Sequence, residues 1–286
     1  MTARIIDGRG IAGTLRGALA EEATTFANRT GAPPTIAVMF VGGDGPSERY
    51  ARQIHREFER TSFGVRLHRL SEETTESELI ALLDAVGRDP DVHGVLVETP
   101  LPPHVSAQRV SLAIPVMKDV DGVHPVNAGL LFSNSGNYLA PATPSGGIEL
   151  LEKIGVSPRG RHAVVVGRSA SVGKPMAFML LHRDATVTIC HSHTDRLRDL
   201  VASASILVAA AGVPGLIRGE WLQPGAIVID FGVNVVGDQV IGDVEFVAAR
   251  EVASAITPVP GGTGPMTVTM LMRNTLLAAQ RQRMFS

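Results

Sequence analysis

The stretch Ala163–Met176, AVVVGRSASVGKPM, places the tightest limit on what this chain can fold into. Four apolar residues, Ala163 to Val166, read as a buried parallel strand; Gly167 breaks it, and Pro175 falls where the first turn of a helix begins. Glycines at 167 and 173 let the backbone approach a ligand closely, and the free N–H groups and positive dipole end of the following helix suit a phosphate. Gly-x5-Gly is not the G-x-G-x-x-G fingerprint, so the segment alone fits an ordinary strand-to-helix turn as well as a dinucleotide site.

The same alternation runs through the whole chain. A helix-like pattern from Ile5 ends at Gly31-Ala32-Pro33-Pro34, and Thr35–Val41 reads as a buried strand. After the loop Gly42–Pro46, Ser47 is expected to cap a polar helix running to about Thr61. Strands follow at Val65–Leu70 and Gly94–Glu98, with a helix at Glu76–Val86 between them. Lys118–Asn127 (KDVDGVHPVN) reads as a loop, and its Asp-x-Asp-Gly core lacks the further ligands of a calcium loop. A helix from Pro141–Pro144 to Ile154 marks the domain boundary. Beyond it come strand Ala163–Val166, helix Pro175–Leu181, strand Thr186–Cys190, helix Asp195–Ala202, and strands Ile206–Ala210 and Ala226–Asp230. Strands separated by helices make parallel α/β layers, the second of them doubly wound. Ala255–Met266 (AITPVPGGTGPM) forms a Gly/Pro turn whose glycines around Thr263 permit close approach of a ligand, and a helix covers Thr267–Ala279.

A chain of 286 residues suits two domains of ordinary size. The net charge of −2, with dispersed basic residues, points away from nucleic acid and anionic membranes. One cysteine, Cys190, excludes an intrachain disulfide and suits a reducing compartment. The first residues lack a signal-peptide core and no apolar run is long enough to span a bilayer, so a cytoplasmic location is expected. The strand at Thr186–Cys190 runs into His191-Ser192-His193, at the distance from Gly167 where an NAD site carries an acid for the ribose 2′-hydroxyl. No acid stands there. Arg168 and Ser192 can instead hold a 2′-phosphate, which favours NADP. Zinc is disfavoured, because Cys190, His191 and His193 are too close in sequence to face one ion together, and no metal site is expected.

These segments together resemble the bifunctional methylenetetrahydrofolate dehydrogenase/cyclohydrolase family. The likeness is carried by IIDGRGIA at 5–12, Ser47…Tyr50, Pro100-Leu101-Pro102, KDVDGVHP at 118–125, PATPSGG at 141–147, GRSASVGKP at 167–175, ATVTICHSHT at 185–194, GAIVIDFGVN at 225–234, GDV at 242–244 and ITPVPGGTGPMT at 256–267. The resemblance implies a homodimer of two α/β domains flanking a cleft. The folate-binding domain would be residues 1–140 with 267–286, the Rossmann-like NADP domain 141–266, and the last helix would return to the first domain. A tetrahydrofolate derivative would be held by Tyr50, stacked on the pterin, by Asp121, bonded to its ring, and by Pro100, Gly262 and Pro265. NADP would lie against Thr143, Gly167, Arg168, Ser169, Gly173, Ser192, Gly212 and Val233.

Two positions depart from the family pattern. The family helix reads Tyr-x-x-x-Lys, a spacing that puts both side chains on one face, and here the Lys position is Ile54. That Lys assists hydrolysis of the methenyl cation in the family and is steered by a Gln whose position here is Glu98. Ala142 for Cys and Thr263 for Val are expected to be packing variations. With Glu98 ionised, the site moves two charge units toward negative. At ~5 Å and an effective dielectric of ~20, each unit favours the methenyl cation formed by hydride removal by about 3 kcal/mol as an upper bound. Hydrolysis also needs an activated water and a proton transfer, which Ile54 cannot supply. With Tyr50, Ile54, Glu98 and Asp121 as the catalytic positions, three readings follow: an NADP-dependent dehydrogenase that has lost the cyclohydrolase step, a bifunctional enzyme in which Glu98 is the base, and a repurposed or non-catalytic folate-binding paralogue.

Overall fold

The computed structural model describes residues 2–42 and 46–284, without the side chains of 46, 47 and 49. In chain order the elements are β1 (Arg4–Ile5), α1 (Gly8–Thr30), β2 (Thr35–Val41), α2 (Pro46–Glu59), β3 (Gly64–Leu70), α3 (Glu76–Arg88), β4 (Gly94–Val97), α4 (Ala107–Ala113), α5 (Pro125–Ser133) and α6 (Ala142–Lys153). There follow β5 (His162–Val166), α7 (Gly173–Leu181), β6 (Thr186–Cys190), α8 (Leu197–Ala202), β7 (Ile206–Ala209), β8 (Ile227–Asp230), β9 (Asn234–Val236), β10 (Gln239–Ile241), α9 (Phe246–Val252), β11 (Ala255–Ile256) and α10 (Thr263–Met284).

The chain divides into two units, an amino-terminal one of Thr14–Ala142 with Val268–Ser286 and a carboxy-terminal one of Met1–Gly13 with Thr143–Thr267. The chain changes unit after Ala142 and again after Thr267, and residues 1–13 do not belong with the unit that follows them. The reason is a strand the helical pattern hid: β1 pairs parallel with β11 (Arg4↔Ala255, Ile5↔Ile256), and the Ile6 N–H donates to the Ile256 carbonyl at 2.9 Å.

In the amino-terminal unit, three parallel strands run in the order β3-β2-β4. The unbroken apolar run of β2 marks a central strand covered on both faces. Ala37, Met39 and Val95 pack there with Leu79 and Leu83 of α3 and with Val110 and Ile114. α3 opens on a capping box between Thr75 and Glu78. α10 is fastened to this unit by Asn274, whose Nδ2 donates to the carbonyls of Val120 (2.7 Å) and Ala140 (2.8 Å), and by Gln282, whose Nε2 donates to the His93 carbonyl at 2.9 Å.

The carboxy-terminal unit is a six-stranded parallel sheet in the order β1-β11-β8-β7-β5-β6. From β5 the chain goes to β6 on one side and then returns to β7 on the other, so the strand order reverses at β5. Ligands of open α/β sheets bind at such a reversal, outside the carboxyl ends of the strands.

Several expectations shift. Gly43–Gly45 of the expected loop lie outside the described residues, and Ser47 falls inside α2, which starts at Pro46, instead of capping it. α5 begins within the expected 118–127 loop because His124 caps it, its Nδ1 accepting the Val126 N–H at 3.0 Å. α4, α9 and the β9–β10 hairpin were not expected; all are short, and short elements carry too few periods to register. α10 starts four residues before the expected Thr267 and outlasts Ala279.

Candidate functional site

In the amino-terminal unit, α2 carries Tyr50 and Ile54 four residues apart and so on one face, Tyr50 half-buried and Ile54 fully buried. Glu98 follows β4 and keeps the sheet pairing, its N–H donating to the Met39 carbonyl at 2.8 Å. Its side chain is only 7 % exposed, and Oε1 has no hydrogen-bond partner among the described residues. Burial, with the neighbouring Asp121 charge second, raises the Glu98 carboxyl from its ordinary 4.5 to about 8. Asp121 is raised to about 7, first by burial and then by Asp119. The Tyr50 hydroxyl is held well above its usual range by burial, then by Glu98 and Asp121. Tyr50, Glu98 and Asp121 thus form one electrostatic cluster.

Two basic residues near Ile54 in sequence, Arg52 and His55, are engaged elsewhere. Arg52 Nη1 lies 3.1 Å from Glu48 Oε1, and His55 Nε2 lies 3.3 Å from Glu59 Oε1. Among the described residues no ion pair reaches Glu98, so it is not the partner of Arg52. A carboxyl raised to about 8 is mostly protonated at neutral pH, so the second charge unit, which required an ionised Glu98, is largely missing there. Protonated Glu98 offers an O–H donor and a carbonyl acceptor, much as the amide of Gln does.

Asp121 owes its position to residues that sequence reasoning passed over. In KDVDG, Lys118 and Asp119 face inward: Lys118 Nζ donates to the Asp89 carbonyl at 2.7 Å, and Asp119 accepts from the N–H groups of Val123 (3.0 Å) and His124 (2.8 Å) and from Asn127 Nδ2 (2.7 Å). Asn274 bonds the Val120 carbonyl immediately before Asp121. Asn274 sits between Arg273 and Thr275, so the residue pattern gave no signal that set it apart. Pro100 lies two residues after Glu98, and the Thr99–Pro100 bond is cis.

In the carboxy-terminal unit, Gly167 sits at the reversal point with φ 135°, its N–H donating to the Cys190 carbonyl at 2.9 Å. A Cβ there would stand 2.0 Å from the Ala210 carbonyl oxygen, and one on Gly173 would stand 2.2 Å from that of Gly167, so both glycines are required for the turn to close. The helix end is less open than expected. Ser169 Oγ accepts from the N–H groups of Val172 (3.1 Å) and Gly173 (3.2 Å), and the Ser169 carbonyl takes the Lys174 N–H at 3.0 Å. What remains for an anion is the exposed side of the turn around Arg168 and Ser169, including the Ser169 hydroxyl proton. Ser192, Gly212 and Val233 are also exposed, at the carboxyl ends of β6, β7 and β8 in that order from the edge, with Gly167 between the first two. This layout suits a dinucleotide laid across the strand ends.

Thr143 and Gly262 fit less simply. Thr143 Oγ1 accepts from Thr267 Oγ1 at 3.3 Å. Gly262 is buried, and a Cβ there would meet the Pro258 carbonyl oxygen at 2.6 Å, so this glycine serves packing, while Gly264 has open space and Pro265 is half-exposed. Thr263 is more than a packing variation, since its hydroxyl donates to the Asp230 carbonyl at 3.0 Å.

Taken together, the fold and these residues define a two-unit α/β protein, with a sheet of the dinucleotide-binding kind in one unit and a partly buried acid–tyrosine cluster in the other. Residues 6–121 match the tetrahydrofolate dehydrogenase/cyclohydrolase catalytic domain, and residues 141–283 match the NAD(P)-binding domain of the same family. The chain belongs to the tetrahydrofolate dehydrogenase/cyclohydrolase family. It is 50% identical over 283 residues to the bifunctional protein FolD of a Roseiflexus species (99% of this chain, 98% of that one) and 48% identical over 281 residues to that of Herpetosiphon aurantiacus (98% of each). The structure of Trypanosoma brucei methylenetetrahydrofolate dehydrogenase-cyclohydrolase, complexed with NADP and an inhibitor, superposes with a TM-score of 0.95 at 37% identity and covers 98% of both chains. Among the described residues no helix is long and apolar enough to cross a membrane.

Proposed function

We propose that the chain oxidises 5,10-methylenetetrahydrofolate to the 5,10-methenyl form with NADP as acceptor, and hydrolyses the product poorly or not at all. One observation carries the second half: at the position of the family's lysine stands Ile54, fully buried, while Arg52 and His55 are paired with Glu48 and Glu59. Ile54 has no group that can move the proton that ring opening requires.

Oxidation asks less of the protein. Tyr50 offers a half-buried aromatic face for the pterin, and Asp121 a carboxylate for its ring N–H groups. NADP, when bound, supplies the hydride acceptor, and the exposed turn of Arg168 and Ser169 with Ser192 suits its phosphates. Removing hydride leaves a cation, and a site lacking the lysine is one charge more negative than its relatives at neutral pH. That difference is worth about 3 kcal/mol at ~5 Å as an upper bound. A carboxyl near 8 is half ionised at pH 8 and could then serve as a base, so retention of both activities is the reading the assay must separate.

The family likeness also supports a homodimer working in the cytoplasm, for which sedimentation should return twice the chain mass. The activity is tested by incubating purified protein with methylenetetrahydrofolate and NADP. NADPH should form well above a no-enzyme control; no such excess refutes the dehydrogenase, and folate binding without turnover on any one-carbon derivative would indicate a binding protein.

A further inference from the structure

Two buried carboxylates in the carboxy-terminal unit take no part in the chemistry above. Asp243 is fully buried, and its oxygens accept four donors: Oδ2 takes the N–H groups of Ala211 (2.6 Å) and Gly212 (2.9 Å), while Oδ1 takes the Val213 N–H (3.0 Å) and Asn234 Nδ2 (2.9 Å). Three consecutive backbone N–H groups converging on one anion form a nest, which the φ of 67° at Gly212 allows. The Asp243 N–H in turn donates to Asp230 Oδ1 at 3.1 Å, and Asp230 also accepts from Gly232 (2.8 Å) and Val244 (2.9 Å). The chain closes tightly around this pair, for a Cβ on Gly242 would stand 2.0 Å from Asp230 Oδ2.

The segments so tied are the ones that leave the carboxyl ends of β7 and β8. The sheet sets β6, β5, β7 and β8 side by side, and with them Ser192, Gly167, Gly212 and Val233. A dinucleotide with its 2′-phosphate at Ser192 and its pyrophosphate at Gly167 reaches Gly212 and Val233 with its nicotinamide half. We infer that Asp243 is the positioning residue for that half: one carboxylate fixes the 211–213 turn and Asn234 to each other and so holds the floor against which the nicotinamide riboside lies. The inference rests on the NADP reading above. It gives the acid of the GDV stretch a task the glycine turn cannot perform, since Gly167 and Gly173 shape the phosphate end alone.

The test titrates the full-length protein with two ligands, NADPH, followed by its fluorescence, and adenosine 2′,5′-bisphosphate, followed by calorimetry, which carries only the adenosine half. Asp243→Asn keeps the shape but turns an amide NH2 toward N–H donors. It should raise the NADPH Kd at least about tenfold while leaving the adenosine 2′,5′-bisphosphate Kd within about twofold. Asn234→Ala, which removes one donor of four and keeps the acid, should move the NADPH Kd in the same direction by less. Parallel weakening of both ligands would show a merely structural role and overturn the inference. So would an unchanged NADPH Kd in either folded variant. Wild-type protein that binds neither ligand refutes the NADP reading itself, and that arm is read before any variant.

Discussion

Replacing Glu98 by Gln should make the protein more stable, by an amount that grows with pH. The folded state holds this carboxyl near 8 against 4.5 when solvated, chiefly because burial penalises its charged form. Between those values the folded chain binds a proton that the unfolded chain releases, so stability falls as pH rises through the window. Each pKa unit is worth about 1.4 kcal/mol, which gives a cost of about 3 kcal/mol at pH 7 and between 4 and 5 above pH 8. That is a large part of the 5–15 kcal/mol that holds a typical domain together. Gln has nearly the same shape and no charge to lose. Glu98→Gln should therefore match wild type within about 1 kcal/mol at pH 5, exceed it by about 3 at pH 7, and by more than 4 at pH 8.5. Asp121, raised to about 7, pulls stability the same way and is present in both proteins, so the difference between them reads Glu98 together with its repulsion from Asp121. Urea unfolding of the amino-terminal unit, followed by circular dichroism at the three pH values, reads it. A gap that stays constant from pH 5 to 8.5 would show that Glu98 ionises alike in both states, and the electrostatic account of the site would fall.

The same carboxyl predicts a pH profile for the reaction: ionised Glu98 favours the methenyl cation, so the dehydrogenase kcat should rise through pH 8 in wild type and lose that rise in Glu98→Gln, as steady-state NADPH production will tell. Ile54→Lys together with Glu98→Gln should raise the hydrolysis of methenyltetrahydrofolate at least about tenfold, and Ile54→Lys should cost several kcal/mol of stability in either background because the ammonium enters a fully buried position; an unchanged hydrolysis rate in a folded double variant places the loss outside these two residues. Asn274→Ala strips the Val120 and Ala140 carbonyls of their donor and should lower stability by about 2 kcal/mol and weaken folate binding, measured by chemical denaturation and calorimetry. Gly173→Ala drives a methyl against the Gly167 carbonyl and should abolish NADPH binding at concentrations that saturate wild type.

The strands were legible because a parallel strand covered on both faces must be apolar along its length, as Thr35–Val41 and Ala163–Val166 are. The two-residue strand β1 was not, since Arg4 and Ile5 carry no periodicity and gain their identity only from β11, some two hundred and fifty residues later. The departures at Ile54 and Glu98 were visible as letters, yet the state of Glu98 was not. Whether a carboxyl ionises depends on burial and on Asp121, and both are products of the fold. Likewise Ser169 looked like a phosphate contact but spends its lone pairs on the first turn of α7, and Gly262 looked like a ligand approach but makes room for the Pro258 carbonyl. Asp119, Asp243 and Asn274 were missed because each acts through partners distant in sequence or through backbone N–H groups, which leave no mark on the residue pattern.

The decay of 5,10-methenyltetrahydrofolate, followed by its absorbance at neutral pH with and without the wild-type protein, tests the central claim most directly. A pocket with Ile54 in place of an ammonium group should leave the rate at that of buffer alone, while the same preparation reduces NADP in the presence of the methylene substrate. Rapid, protein-dependent loss of the methenyl signal to the formyl product would contradict it.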